Sequence, residues 1–339
     1  EYETPEKPEE MEEPEPEPLE YNGRIRVLLM TDDYEGELHQ QIRLSSPSGQ
    51  DLTVYDAENG ETIDSGNTLS FDLEENTLFL NGEPLAEISG HLRIETAEGD
   101  GAGIAVDSIA RNSGTPVYEG SLEVWPAEDG FYLVNDLPFE TYLKYVVPSE
   151  MPSGYSMEAL KAQAVCARTY ACKQLQSYDY PDCAAHVNDS VQYQVYNNTG
   201  AADSTSQAVD ETSGLILTSQ GLPITAYYFS TSCGATGNEE IWWEGDAAMT
   251  PYLSAKTVDG EGAAVDLASE EAFESFLEQE SAGCYDADIS WYRWETEVDL
   301  DTLTENLNTA LKGRYEANPE AVLTLENGSF VSREIESIG

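Results

Sequence analysis

From Arg24 to about Trp125 the chain alternates short apolar, β-prone runs with clusters of Gly, Asn and Asp. Arg24-Ile25-Arg26-Val27-Leu28-Leu29-Met30 predicts the first strand. Ile42-Arg43-Leu44, Leu69 to Leu73, Leu78-Phe79-Leu80, His91 to Ile94 and Ile104-Ala105-Val106 continue the series. Asn81-Gly82 after Leu78-Phe79-Leu80 is a strong short-range hairpin signal. Tyr118 to Val124 and Phe131 to Asn135 predict a further pair around Ala127-Glu128-Asp129-Gly130. Up to this point the pattern describes an antiparallel scaffold.

The period then changes. Pro138 to Val146 carries apolar residues at helical spacing, and the same reasoning ends that helix at Pro148. Ser156 is a good N-cap, with Glu158 placed favourably for the helix dipole. The helix that follows, read over 156–177, is rich in Ala159, Ala162, Ala164, Ala167 and Ala171. Small residues allow close approach, so this helix is expected to be central and buried. Further on, Ser190 to Asn198 alternates like a half-buried strand, and Leu215 to Thr218 and Ile224 to Phe229 read as two more. Ser269 to Glu280 is amphipathic, Trp291 to Glu295 opens another strand pattern, Leu303 to Leu311 is helical, and Phe330 to Gly339 reads as a strand.

Between the two helices stands Val146-Val147-Pro148-Ser149-Glu150-Met151-Pro152. Proline fixes its own φ and keeps the preceding residue out of the α region. The two prolines are thus expected to mount Glu150 in a stiff, non-helical turn, a useful property for a group that must be aimed at a bond. A surface glutamate in an acidic protein is the competing reading. Lys161 and Arg168, seven apart on the helix, share a face. They either pair with carboxylates or line a groove beside Glu150.

Composition narrows the partners. With 66 acidic against 15 basic residues the 339-residue chain has a formal net charge of -51, which disfavours nucleic acid and anionic membranes. Nine of the 66 acidic residues lie in Glu1 to Pro18, a Glu/Pro tract that cannot bury apolar surface and reads as an extended spacer over 1–23. Such a spacer suggests an omitted signal or membrane anchor. Cys166, Cys172, Cys183, Cys233 and Cys284 are odd in number, so at least one is unpaired. Cys172 with Cys183 and Cys166 with Cys233 are the pairings that remain open.

Most common chemistries lack their residues. His39, His91 and His186 are the only histidines, and none stands in a nucleophile motif. Cys183 and His186 offer two zinc ligands without a second pair at metal spacing. No nucleotide loop is present, no cofactor is implied, and no carboxylate pair of an ordinary glycosidase can be chosen by spacing. What stands out is Glu150, the Lys161/Arg168 helix, and a second half rich in Tyr, Ser and Thr. Ser230-Thr231-Ser232 ahead of Cys233-Gly234 can donate hydrogen bonds to a sugar or an oxyanion, or cap a turn.

Leu143 to Pro152, followed by Glu158 to Ala171, closely resembles the stage II sporulation protein D (SpoIID/LytB) family. The same holds for Gln194-Val195-Tyr196, Ala226 to Gly234, Pro251-Tyr252-Leu253 and Trp291 to Trp294, in the family's order. The resemblance implies an α+β fold, mainly antiparallel β and two-lobed, with the small-residue helix beside an active-site groove. It implies a β-rich N-terminal part over 24–125 and a catalytic part over 126–339 whose C-terminal end is truncated. It also implies a secreted or membrane-anchored, extracytoplasmic cell-wall protein of a Gram-positive-type bacterium. The activity implied is lytic transglycosylation of peptidoglycan glycan strands stripped of peptide by a partner amidase. The alternative is a non-catalytic glycan-binding module that enhances such an amidase.

Carried over by position, the family's catalytic glutamate falls on Glu150, its basic helix residues on Lys161 and Arg168, and its groove tyrosines on Tyr228 and Tyr252. Gln194, Tyr196, Ser230, Thr231 and Ser232 join them as expected substrate contacts. A lytic transglycosylase needs one carboxyl group that protonates the bridging oxygen and then takes the proton of the attacking C6 hydroxyl. Glu150 is therefore expected to be buried enough to stay protonated, with Lys161 and Arg168 engaging substrate or other acids rather than Glu150. Some relatives bind zinc through a His and two Cys, and Tyr193 stands where one such Cys would be, so no metal is expected.

Overall fold

A computed structural model of the chain describes residues 22–317, apart from 75–76, 86–89, 98, 100, 239–251 and 280–282. The Glu/Pro tract, Pro251 of the Pro251-Tyr252-Leu253 run and the terminal strand pattern from Phe330 lie outside the described residues. The chain divides into two compact units, Tyr228 closing the first and Phe229 opening the second.

The first unit is built on antiparallel β structure. Its strands are β1 Arg24–Leu28, β2 Gln41–Ser45, β3 Leu52–Asp56, β4 Thr62–Gly66, β5 Thr68–Glu74, β6 Thr77–Leu80, β7 Glu83–Pro84 and β8 Leu92–Thr96. They continue with β9 Ile104–Val106, β10 Val117–Tyr118, β11 Ser121–Ala127, β12 Gly130–Pro138 and β13 Val187–Asn188. A seven-stranded sheet runs β13-β1-β12-β11-β8-β3-β4, and a six-stranded sheet runs β10-β9-β2-β5-β6-β7. The β1–β13 pairing is parallel, whereas β1 meets β12 antiparallel. Alternate burial along β3 (Leu52, Val54 and Asp56 in, Thr53 and Tyr55 half-out) shows one face packed on the core. In β12 the buried positions run almost continuously, as suits a strand covered on both faces.

Two turns depend on their backbone. Asn81 and Gly82 take φ 53° and 82° between β6 and β7, the left-handed pair that a tight hairpin requires. Gly130 starts β12 at φ 154°, and a Cβ there would lie 2.8 Å from the His39 carbonyl oxygen. That contact admits only glycine.

Helix α1, Phe139–Glu150, follows β12 without a loop. Its buried residues Phe139, Tyr142, Leu143, Val146 and Val147 recur at the spacing of one helical face. Helix α2, Met157–Gln174, starts where Ser156 caps it by accepting a hydrogen bond from the Ala159 N–H. It packs Ala164, Ala167 and Ala171 into the core shared with α1 and the sheets. Helix α3, Asp203–Glu211, lies against both. A small hairpin of β14 Thr218–Ser219 and β15 Leu222–Pro223 completes the strands. In the second unit α4 is Glu270–Glu278, capped by Ser269, and α5 is Leu300–Ala317. The content is α+β with mainly antiparallel sheets, as the resemblance implies. No helix among the described residues is long and apolar enough to cross a membrane.

Several local expectations are corrected. Pro148 does not end α1; it sits buried in the last turn, and the helix runs on through Glu150. Burial of Val146, Val147 and Pro148 outweighs the one backbone donor that proline removes. The stop comes at Met151, extended at φ −136° and ψ 128° as a residue before proline prefers, with its N–H closing on the Val147 carbonyl at 2.9 Å. Glu150 is thus the last residue of a helix, not part of a non-helical turn.

Segment 190–198 is not a strand. Asn197 takes the left-handed φ of 54°, and buried Ser190, Gln194 and Asn197 satisfy the segment with side-chain hydrogen bonds. The run Ile224 to Phe229 is also non-strand. Upstream, the Leu217 N–H goes to the Thr169 hydroxyl at 2.9 Å rather than into a ladder. Trp291 to Glu295 likewise forms a turn, with the Tyr292 N–H on the Ile289 carbonyl. All five cysteines are free thiols, so neither pairing left open by the sequence is formed.

Candidate active site

The end of α1 places one carboxyl group against a fixed main-chain donor. The Val195 N–H donates to Glu150 Oε1 at 2.7 Å. Position 195 is held from both sides. Upstream, the buried Asp189 carboxylate accepts the Met30 N–H at 2.9 Å and two bonds from the Arg111 guanidinium, at 2.7 and 3.1 Å. Downstream, the Tyr196 N–H bonds the Asp189 carbonyl, Asn197 Nδ2 bonds the Val117 carbonyl, and the Thr199 N–H bonds Ser149 Oγ at 3.0 Å. The last bond ties the segment directly to the residue before Glu150.

Tyr228 faces the same group, its phenol close enough to the Glu150 carboxyl to pull that group's pKa down. Tyr228 is itself oriented by Gln194, whose Nε2 donates to the Tyr228 oxygen at 3.0 Å and to the Ala167 carbonyl at 3.3 Å. Tyr142 donates to Gln194 Oε1 at 3.4 Å. The buried Gln194 amide therefore has fixed donors and a fixed acceptor, and the Tyr228 oxygen, already accepting from Gln194, is set to donate. Tyr170 on α2 completes the surroundings: burial opposes its ionisation first, and the charge of Glu150 adds to that.

Burial pushes the Glu150 carboxyl above its ordinary value, and the bonds from Val195 and Tyr228 pull only partly back. Among the described residues no cation enters that balance. Burial, the negative charge of Glu150 and a hydrogen bond to it raise Tyr228 as well, which keeps the phenol protonated and able to donate. The pair amounts to an acid whose proton is held more tightly than usual, with the Val195 N–H and the Tyr228 phenol placed to stabilise its anion.

The two basic residues of α2 are engaged elsewhere. The Arg168 side chain is 1% exposed, with Nε and Nη2 on Glu140 Oε1 and Oε2 at 2.9 and 2.8 Å. Its remaining bonds reach the carbonyls of Ala164, Val209 and Leu215 and the Thr212 hydroxyl. It thereby joins the start of α1 to the end of α3. Lys161 Nζ pairs with Glu211 at 2.8 Å and Glu158 at 3.2 Å. Neither cation is a partner of Glu150.

Tyr196 is fully buried, its hydroxyl on Asn135 Oδ1 at 2.7 Å and its ring 4.9 Å from that of Tyr142. Ser230, Thr231, Ser232 and Tyr252 belong to the second unit. There the Ser232 N–H and hydroxyl both donate to Asp286 Oδ2, at 2.6 and 2.7 Å, and Ser232 Oγ accepts the Gly234 N–H at 2.9 Å. Ser232 is thus engaged in turn capping.

Three contributors escape the sequence reading. Val195 acts through its main chain, which no side-chain pattern reveals. Tyr142 reads as an ordinary core position on the apolar stripe of α1. Tyr170 is signalled only by its spacing from Ala167, which places both on one side of α2.

Residues 127–219 match the SpoIID family, described as stage II sporulation protein. The chain is 33% identical over 193 residues to the amidase enhancer of Bacillus subtilis, a match covering 56% of this chain and 25% of that protein. It is 42% identical over 137 residues to an uncharacterized protein of Brachyspira hyodysenteriae, covering 40% of this chain and 36% of the relative. It is 37% identical over 134 residues to stage II sporulation protein D of Bacillus subtilis, covering 35% and 38%. The chain therefore spans between a quarter and two fifths of the length of these relatives.

Proposed function

From a chain that belongs to the SpoIID family through residues 127–219, we propose a lytic transglycosylase that cleaves peptidoglycan glycan strands with Glu150 as its single acid and base. The observation that carries this reading is a carboxyl group that burial pushes above its ordinary value, free of cationic partners among the described residues, held by the Val195 N–H and faced by the Tyr228 phenol. A neutral carboxyl can give its proton to the bridging oxygen as the bond from C1 of the muramic sugar breaks. The Val195 N–H and Tyr228 O–H then stabilise the carboxylate that forms. The same carboxylate takes the proton from the C6 hydroxyl as that oxygen bonds to C1. The products are a shortened strand with a free hydroxyl and a 1,6-anhydro end. No water is consumed, and Glu150 ends protonated as it began. One carboxyl suffices, unlike the pair of a hydrolase.

Peptide-stripped strands are the substrate proposed, and the place of action is extracytoplasmic, at the cell wall. Arg168 is assigned the positioning of α1, through Glu140, rather than a bond to the sugar. Lys161 remains a proposed outer contact with the glycan in the first unit; Ser230, Thr231 and Tyr252 are proposed separately as glycan contacts of the second.

A second reading has its own support in the relative named amidase enhancer, whose match reaches over 56% of this chain. Under it the site binds glycan and stimulates a cell-wall amidase without cutting the strand. Incubation with peptide-free strands and mass analysis of the products separates the two. Anhydro ends made by the protein and not by Glu150→Gln support the transglycosylase. Binding without any new ends, together with faster peptide release by an added amidase, supports the enhancer.

A further inference from the structure

On α2 one buried polar group has no hydrogen-bond partner among the described residues. Gln163 is 8% exposed, yet its Nε2 donates to nothing among the described residues. A buried donor left unmatched costs free energy, and such groups in folded proteins call for a specific explanation. Gln163 lies four residues before Ala167 and seven before Tyr170, so all three share one side of the helix. Two members of that side border the candidate site. The Ala167 carbonyl anchors Gln194, which orients Tyr228, and Tyr170 interacts electrostatically with both Glu150 and Tyr228.

We infer that Gln163 is a specificity residue whose amide N–H donates to the acetamido carbonyl of an N-acetylated amino sugar bound beside Glu150. The inference deepens the proposed glycan reading and rests on it. The chemistry favours that acceptor for two reasons. Gln163 is uncharged, and Glu150 spends part of the proposed cycle as an anion, so a carboxylate or phosphate on the ligand would be poorly held there. Among the neutral acceptors of a sugar, the amide carbonyl is the one that distinguishes amino sugars from those bearing only hydroxyls. A site built to meet a particular polar group discriminates against ligands lacking it, because the donor is then left unpaired.

The test compares Gln163→Met, of similar length and volume, with the unaltered protein. Dissociation constants are measured by ligand-observed NMR for the β-1,4 tetramer of N-acetylglucosamine and for the β-1,4 tetramer of glucose, both uncharged. The unaltered protein is expected to prefer the acetylated tetramer. Gln163→Met is expected to weaken that binding about tenfold, the scale of one neutral hydrogen bond, and to leave the glucose tetramer unchanged. Its melting temperature should equal or exceed that of the unaltered protein, since an orphaned polar group has been removed.

A lower melting temperature, an equal loss for both sugars, no loss, or failure of the unaltered protein to bind the acetylated tetramer each overturns the inference. Cleavage is assayed separately on peptide-free strands. Discrimination by Gln163 without strand cleavage sinks the transglycosylase reading and leaves this inference standing. Cleavage without discrimination does the reverse.

Discussion

The Val195 N–H and Glu150 Oε1 lie 2.7 Å apart, joining the last residue of α1 to a non-strand segment 45 residues further along the chain. The contact gives the carboxyl group a fixed orientation without a fixed charge. A cation in the same place would hold Glu150 ionised, whereas a main-chain amide and a phenol leave burial to decide. Charge and position are thereby set by different parts of the fold.

Stability should carry the mark of that burial. Because the folded Glu150 carboxyl is raised above its unfolded value, its contribution is most favourable at low pH and is lost as pH rises through the folded value. Glu150→Gln removes the ionisation. Its melting temperature is expected to exceed that of the unaltered protein at pH 7 to 8, with the difference closing below the ordinary carboxylate value of about 4.3. Thermal denaturation across pH checks this, and a difference that does not vary with pH would count against a raised Glu150.

Activity should fall on the alkaline side for the same reason. The Tyr228 hydrogen bond favours the ionised form, so Tyr228→Phe is expected to move the alkaline limb of kcat/KM to higher pH. It should also lower kcat, since the carboxylate formed after proton transfer loses a donor. A limb that moves to lower pH, or does not move, contradicts the proposed role of Tyr228.

Arg168 and Glu140 should prove unequal partners. Removing Glu140 leaves a guanidinium that is 1% exposed without its counter-charge, whereas removing Arg168 leaves a carboxylate whose side chain keeps 36% exposure. Glu140→Ala is therefore expected to cost about 3–5 kcal/mol in denaturant unfolding. Arg168→Met is expected to cost less. The reverse order would show that the pair is not organised by Arg168 burial.

Tyr196 is expected to be structural despite its place in the Gln194-Val195-Tyr196 motif. Its hydroxyl meets buried Asn135 Oδ1 at 2.7 Å. Tyr196→Phe strands that acceptor and should cost about 1–3 kcal/mol, with KM for glycan strands little changed. A rise in KM at unchanged stability would instead place Tyr196 against the sugar.

What the sequence discloses depends on how strongly each element announces itself. The apolar stripe from Phe139 to Val147 and the Ser156 cap are local signals, and both helices appear where the pattern puts them. Helix α3 buries only Thr205, Ala208 and Val209, too little apolar surface for a periodicity to show. Segment 190–198 alternates convincingly, yet its polar residues are buried and bonded to distant main chain, so tertiary contacts rather than pairing shape it. At the candidate site, Glu150 stands out in the sequence by residue type and by its prolines. The mount does not, because burial carries α1 past Pro148. The partners of Arg168 and Lys161 could not be chosen among 66 acids by spacing, and the Val195 donor has no side-chain signature at all.

The central claim is that Glu150 cuts the strand without water. Peptide-free glycan strands digested in heavy-oxygen water test it most directly. The account predicts new 1,6-anhydro ends that carry no heavy oxygen, and none from Glu150→Gln. Heavy oxygen in new reducing ends would show hydrolysis, and the same product yield from Glu150→Gln would show that another group does the work; either result contradicts the account.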